Sequence, residues 1–224
     1  LNDTATPQSV VILISGRGSN MLALIEQSRR AGSPYAVRAV FSDRAAAPGL
    51  KAARDLNVPA TALTAQPRAD RATYDRELAA AIREHNPALL VLAGFMRILS
   101  HEFVDAFAGR ILNIHPSLLP KYPGLHTHRR ALEAGESEHG ATVHFVTAQL
   151  DAGPAILQSR VRVAPDDTET TLAARVQAEE HRIYPLAVQW FCDGRLLCAD
   201  GQAWLDGRAL REPVQYADLG SAPS

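Results

Sequence analysis

The chain has 224 residues, 46% of them apolar, enough to bury a sizeable core, and its length fits one large domain better than two. Lysine plus arginine, 23, nearly cancel aspartate plus glutamate, 24, so no field of one sign draws it onto nucleic acid or a membrane surface. Its two cysteines, Cys192 and Cys198, lack CxxC spacing, which argues against a disulfide scaffold or a zinc ribbon and fits a reducing cytoplasm.

Leu1 to Gln8 reads as a flexible N-terminal tail, polar and without a basic start. Val10 to Ile14 is a β-branched run far too short for a signal or a membrane span. It ends at Ser15-Gly16-Arg17-Gly18-Ser19-Asn20, after which Leu22, Leu24 and Ile25 begin a helix, so the first unit is strand, glycine loop, helix. The alternation continues with a strand at Val37 to Phe41, a helix at Pro48 to Leu56, a weak strand at Thr61 to Leu63 and a long helix at Arg68 to His85. Leu89 to Leu92 and Ile111 to Ile114 follow as buried strands. Strands alternating with helices predict parallel pairing, right-handed crossovers and helices on both faces of an open α/β sheet, with ligands at the carboxyl ends of the strands.

After Gly140 the texture changes. Ala141 to Val146 and Ala155 to Val163 read as two strands of an antiparallel extension in the C-terminal half, joined by a loop from Thr147 to Pro154. Thr168 or Asp167 should cap a helix running to about Phe191, kinked at Pro185. Leu196 to Ala199 and Ala203 to Leu205 suit a terminal hairpin. With no internal repeat and no linker, a single domain over residues 9–206 is expected, followed by a C-terminal tail over 207–224.

Four segments carry chemistry. Asn113 and His115 end an apolar run, two residues apart and so on one face of a strand, with Pro116 and Pro120 stopping the strand beyond them. An amide donor beside a titratable one suits a carbonyl oxygen that becomes negative during acyl transfer, although an isolated N-x-H is more often a turn cap. In the Gly16 to Asn20 loop, free backbone N–H groups and a helix dipole attract a phosphate. Asp43, at the end of the second strand, invites a dinucleotide reading, but Met21 stands where a third glycine would be needed, and a monophosphate or an unliganded tight turn are the alternatives. Ala93 to Leu99 puts large apolar groups at the ligand-binding edge, either lining a slot for a flat ring or packing on a helix. Asp151, in a loop made sharp by Gly153 and Pro154, either forms a turn or holds the imidazolium of His115, whose reference pKa is about 6.5. Histidines 115, 126, 128, 139 and 144 raise a metal reading, but HExxH and CxxC are absent and no metal is expected. Without a G-x-S-x-G elbow or a cysteine near these loops, direct transfer between two bound substrates is favoured over a covalent acyl-enzyme.

With these residues in hand, the chain resembles the phosphoribosylglycinamide formyltransferases, folate-dependent enzymes of purine synthesis, from about Val10 to Leu205. The resemblance rests on SGRGSN, AGFMRILS, GRILNIHPSLLPKYPGLHTH, HGATVHFVTAQLDAGPAILQ and ARVQAEEHRIYP. It implies a Rossmann-like formyltransferase fold in which a formyl group passes from 10-formyltetrahydrofolate, a co-substrate, to the amine of N1-(5-phospho-D-ribosyl)glycinamide, yielding tetrahydrofolate and formylglycinamide ribonucleotide. By the same resemblance Gly18, Ser19, Asn20 and Glu180 bind the ribonucleotide. Arg71, Met96, Arg97, Ile98, Leu99, Asn113 and Thr147 meet the folate, with Arg71 suiting the glutamate tail. Asn113, His115 and Asp151 match the catalytic trio. A cytoplasmic monomer or weak homodimer acting on small molecules is implied, without nucleic acid or membrane partners. Methionyl-tRNA formyltransferases share the catalytic half but carry a further nucleic-acid-binding domain, and formyltetrahydrofolate hydrolases typically carry an extra N-terminal module. The rival from another class is a nucleotide-sensing module that binds ligand without transferring a formyl group.

Overall fold

The computed structural model describes residues 6–64 and 70–220. In chain order the elements are β1 (Gln8–Ile14), α1 (Ser19–Ser28), β2 (Tyr35–Ser42), α2 (Pro48–Asp55), β3 (Ala60–Ala62), α3 (Arg71–Arg83) and β4 (Leu89–Leu92). They continue with α4 (His101–Ala106), β5 (Ile111–His115), α5 (Thr127–Glu133), β6 (Glu138–Phe145), β7 (Ala155–Arg162) and α6 (Glu169–Cys192). The short strands β8 (Leu196–Ala199), β9 (Gln202–Leu205), β10 (Arg208–Ala209) and β11 (Val214–Gln215) precede a 3-10 turn, Tyr216–Gly220.

The main sheet has eight strands in the order β11-β7-β6-β5-β4-β1-β2-β3. The strands β1 to β5 pair in parallel, and β6 runs antiparallel to both β5 and β7. An α/β fold with an antiparallel extension is therefore what the chain forms, and β8, β9 and β10 make a separate antiparallel sheet. Strand order reverses between β1 and β4, leaving at their carboxyl ends the crevice where such sheets take ligands.

The apolar runs of the inner strands follow from burial on both faces. Val10, Ile12 and Ile14 of β1 join one core with Met21 and Leu24 of α1 and with Val176, Ile183 and Val188 of α6. Val11 and Leu13 face the opposite core, with Tyr74 and Leu78 of α3 and Phe103 of α4. A strand sandwiched in this way cannot alternate polar with apolar residues. Thr168 caps α6 by accepting from the Thr171 amide, and the helix continues as one element through Pro185.

Several boundaries differ from the sequence reading. Gln8, expected in the N-terminal tail, begins β1 and pairs with Tyr35. The segment after residue 206, expected to be a tail, supplies β10 and β11, and β11 joins the main sheet by pairing Val214 with Leu157 and Gln215 with Gln158. α3 starts at Arg71 because Asp70 caps it, accepting from the Thr73 amide at 2.7 Å. Residues 68 and 69, expected in its first turn, lie outside the described residues, as do residues 1–5 and 221–224. Among the described residues no helix is long and apolar enough to cross a membrane.

Two buried polar groups link the elements around the sheet's carboxyl end. The Tyr184 hydroxyl, on α6, lies 2.9 Å from the Leu92 carbonyl and 3.0 Å from that of Leu112, so one proton is shared between neighbouring strands β4 and β5. His139, on β6, meets His128, on α5, with Nε2 and Nδ1 3.2 Å apart. Burial, with the neighbouring His128 adding to it, pushes the His139 pKa down to about 4. Tyr184→Phe is expected to lower unfolding free energy in urea by about 1–3 kcal/mol, the cost of leaving buried acceptors without a donor; a loss inside experimental error would show that the sheet satisfies both carbonyls unaided. An unfolded histidine takes its proton near 6.5, so below that pH the unfolded chain binds more protons than the folded one. Stability should therefore fall as pH drops from about 6.5 to about 4. His139→Asn should flatten that slope, and equal slopes in the two proteins would refute the assignment.

Candidate active site

Asn113 and His115 lie on β5, third and last in the strand, where β5 emerges at the crevice. Antiparallel register with β6 sets Asn113 opposite His144 and His115 opposite Thr142. The third expected member, Asp151, comes from the loop between β6 and β7. That loop is pinned where the Phe145 amide donates to the Pro154 carbonyl and the Val146 amide to Ile111. Gly153 is required there, because a Cβ would run into the Phe145 carbonyl. Asp151 itself holds a left-handed backbone, φ +49°, an unfavourable state for a residue with a side chain.

Two of the three side chains meet, and Asn113 joins them in the lining of one cavity. Asp151 Oδ2 is 3.5 Å from His115 Nδ1 and accepts from the Gly124 amide at 2.8 Å, and both side chains are more than nine-tenths buried. His115 Nε2 lies 2.9 Å from the Tyr122 carbonyl. A carbonyl only accepts, so Nε2 carries a proton, and a ring protonated at both nitrogens can donate to Tyr122 and to Asp151 together.

His144 is a participant that the sequence reading offered only as a metal ligand. Its Nδ1 is 2.8 Å from the Phe145 carbonyl and so bears the proton, while Nε2 faces Asn113 Nδ2 at 3.1 Å. Burial lowers the pKa of His144, keeping the ring neutral and Nε2 free to accept. One amide proton of Asn113 is thus spent on His144, which fixes the amide with nitrogen inward and leaves its second N–H for a ligand. His128 and His139 contact each other, His144 contacts Asn113 and His115 contacts Tyr122. Among the described residues no group of three histidine, cysteine or acidic side chains could hold a metal ion.

A cavity of about 540 Å³ opens onto this cluster. Asn113, His115 and Asp151 line it together with Met96, Arg97, Ile98, Leu99 and Thr147. Met96 and Ile98 are 58% and 57% exposed, so their apolar surface faces the opening rather than the core, whereas Leu99 is buried against α3 and α4. Arg97 stacks its guanidinium 4.1 Å from the Tyr74 ring centre, and its Nε is buried without a hydrogen-bond partner among the described residues. Arg71, expected to meet the same ligand, is exposed at the start of α3 and does not line the cavity.

The residues expected to hold the ribonucleotide form a second cluster, outside the walls of that cavity. Gly18 takes a left-handed backbone, φ +76°, at the N-terminus of α1, and Ser19 and Asn20 follow in its first turn. Asn20 Nδ2 donates to Glu180 Oε2 at 2.8 Å, while Asn20 Oδ1 is buried with no partner among the described residues. Burial raises the pKa of Glu180, and the Asn20 bond pulls it partly back. Gln177, which the sequence reading did not single out, donates to Ser19 Oγ at 3.0 Å from one helical turn before Glu180. Glu180 in turn lies one turn before Tyr184, whose hydroxyl reaches the carbonyl next to Asn113, so α6 connects the two clusters.

The described geometry therefore combines a loop suited to an anion with an apolar slot whose wall carries an amide, an imidazole and a carboxylate. A model of the formyl transferase family matches residues 8–188. Phosphoribosylglycinamide formyltransferase of Escherichia coli is 54% identical over 209 residues, covering 93% of this chain and 98% of that protein. The solved structure of the phosphoribosylglycinamide formyltransferase of Coxiella burnetii superposes with a TM-score of 0.89 at 46% identity, covering 93% of this chain and all of that one. A formyltetrahydrofolate deformylase of Pseudomonas syringae superposes with a TM-score of 0.82 at 25% identity, over 90% of this chain and 67% of that one. With the match running from the first strand to within the last long helix, the chain belongs to the formyl transferase family.

Proposed function

We propose that this chain transfers the formyl group of 10-formyltetrahydrofolate to the amine of N1-(5-phospho-D-ribosyl)glycinamide, giving formylglycinamide ribonucleotide and tetrahydrofolate. The convergence of Asn113, His115 and Asp151 on one wall of the apolar cavity carries the reading, together with the 54% identity to an enzyme named for this reaction. The formyl-folate enters the cavity with its flat ring against Met96, Ile98 and Leu99 and its polar edge toward Thr147. Arg97, and Arg71 beyond the cavity, answer the negative charge of the glutamate tail. The ribonucleotide phosphate sits on the amides of Gly18, Ser19 and Asn20 at the positive end of α1. Glu180 takes ribose hydroxyls.

The amine attacks the formyl carbon, forming the new C–N bond as the carbonyl electron pair moves to oxygen. The second Asn113 N–H donates to that oxyanion, and the positive charge of a doubly protonated His115, whose two N–H groups face Tyr122 and Asp151, stabilises it across a water-poor site where charge counts for more than in water. Asp151 faces the ring nitrogen that carries the added proton. Collapse restores the carbonyl, expels N10 of the folate and leaves on N10 the proton given up by the amine. No metal takes part in these steps. The substrates are small molecules, and the enzyme works as a cytoplasmic monomer or weak homodimer.

The likeness to a deformylase favours one competing reaction, in which water replaces the amine. Tetrahydrofolate release is therefore to be followed with and without the ribonucleotide, with detection of the formylated product. Release that depends on the ribonucleotide is expected; release without it, giving formate, would make the chain a hydrolase. Asn113→Ala and His115→Ala are each expected to lower kcat by on the order of 10² to 10³ with little change in ribonucleotide KM, and near-normal turnover in both would defeat the assignment. Asp151→Asn keeps an oxygen for the Gly124 amide but removes the charge facing His115, so a drop of roughly 10² in kcat is expected if the charge itself acts. Full activity would reduce Asp151 to a loop former.

A further inference from the structure

Asp43 directly follows β2 at the carboxyl end of the sheet. Its carboxylate accepts a 2.6 Å hydrogen bond from the hydroxyl of Ser15, the 3% exposed residue that directly follows β1. That hydroxyl has a single proton, which Asp43 takes, so its lone pairs are turned to the other side. There the Met96 amide donates to Ser15 Oγ at 2.8 Å, and the Ser15 amide donates to the Gly94 carbonyl at 3.0 Å. Two bonds from one residue therefore fix the backbone of residues 94–96 at the point where strand order reverses between β1 and β4.

The side chains of that segment hold it only in part, through a half-buried Phe95 packed against the core on the α3 side. Gly94 has no side chain and takes φ +76°, while Met96 and Ile98 are more than half exposed toward the cavity. On its other side Ser15 is bonded covalently to Gly16, whose carbonyl accepts from Gly49 at the start of α2, so the following glycine loop is anchored beside it. We propose that Ser15, aligned by Asp43, is a positioning residue that sets the donor-binding loop against the acceptor-binding loop. Neither residue touches the reacting atoms. The assignment rests on the formyl transfer reading above.

The test compares Ser15→Ala, which removes both hydroxyl bonds, with Ser15→Thr, which keeps the hydroxyl on a strand-compatible residue, in steady-state transfer from 10-formyltetrahydrofolate to the ribonucleotide. Ser15→Ala is expected to raise the donor KM about tenfold, the factor for one buried hydrogen bond, with kcat within about threefold and Ser15→Thr close to the parent. Folate, titrated by quenching of intrinsic fluorescence, should show the same ratio of dissociation constants. An unchanged donor KM in Ser15→Ala, a fall in kcat alone, or equal impairment of Ser15→Ala and Ser15→Thr would each overturn the proposal. If Ser15→Ala does not fold, Asp43→Ala against Asp43→Asn provides the same contrast, since the amide oxygen of asparagine can still accept from Ser15. Failure of the unaltered enzyme to transfer a formyl group would overturn the functional reading itself, a result distinct from an unaltered enzyme that transfers while its Ser15→Ala variant matches it.

Discussion

The register between β5 and β6 is the constraint on which the rest of the site depends. Side chains alternate faces with a period of two, so a slip of one residue would turn Asn113 and His115 away from the cavity and present Leu112 and Ile114 instead. The same register sets His144 opposite Asn113 and delivers the end of β6 to the loop that carries Asp151. Tyr184 holds the neighbouring β4 and β5 together from α6, next to where these residues emerge. Backbone pairing thus does for the polar site what close packing does for the core: it leaves one arrangement available.

Within that frame the polar groups are satisfied in sequence, each one fixing the next. The Phe145 carbonyl sets the His144 tautomer, His144 sets the Asn113 amide, and the Gly124 amide and His115 hold the Asp151 carboxylate. A buried network of this kind is rigid when complete and costly when broken, which suits the proposed stabilisation of charge on one oxygen without reorganisation. The anion-suited loop is built differently. It is made of backbone amides at a helix N-terminus, with Glu180 and Gln177 supporting Asn20 and Ser19 from α6.

Much of this was legible in the chain. Runs such as Val10 to Ile14 and Leu89 to Leu92 are apolar throughout because both faces are buried, and that pattern reads as inner parallel strands. Asn113 and His115 were legible as a pair because their spacing alone puts them on one face. The short α4 and α5, of six and seven residues, complete too little of a helical period to be recognised, and α5 begins from a left-handed His126. β10 and β11 have two residues each and no periodicity. His144, Gln177 and the Ser15 to Asp43 bond escaped because their partners are 31, 158 and 28 residues away, and neither register nor helix placement is written in local pattern. The part proposed for Arg71 rests on family resemblance alone, since its place at the head of α3 lies outside the cavity walls.

The late strand β11 has a consequence for how the molecule behaves among its own copies. An open sheet exposes unpaired amides and carbonyls along its outermost strands, and these can recruit a strand from another chain. Here β11 covers Leu157 and Gln158 of β7, and Arg160, beside that patch, pairs with Glu138 and Gln215. At the opposite margin β3 is only three residues long, and Arg54 occupies its Ala60 carbonyl. Short strands and side-chain contacts at both margins thus leave few free backbone groups in a row, the feature that strand addition from another copy would need.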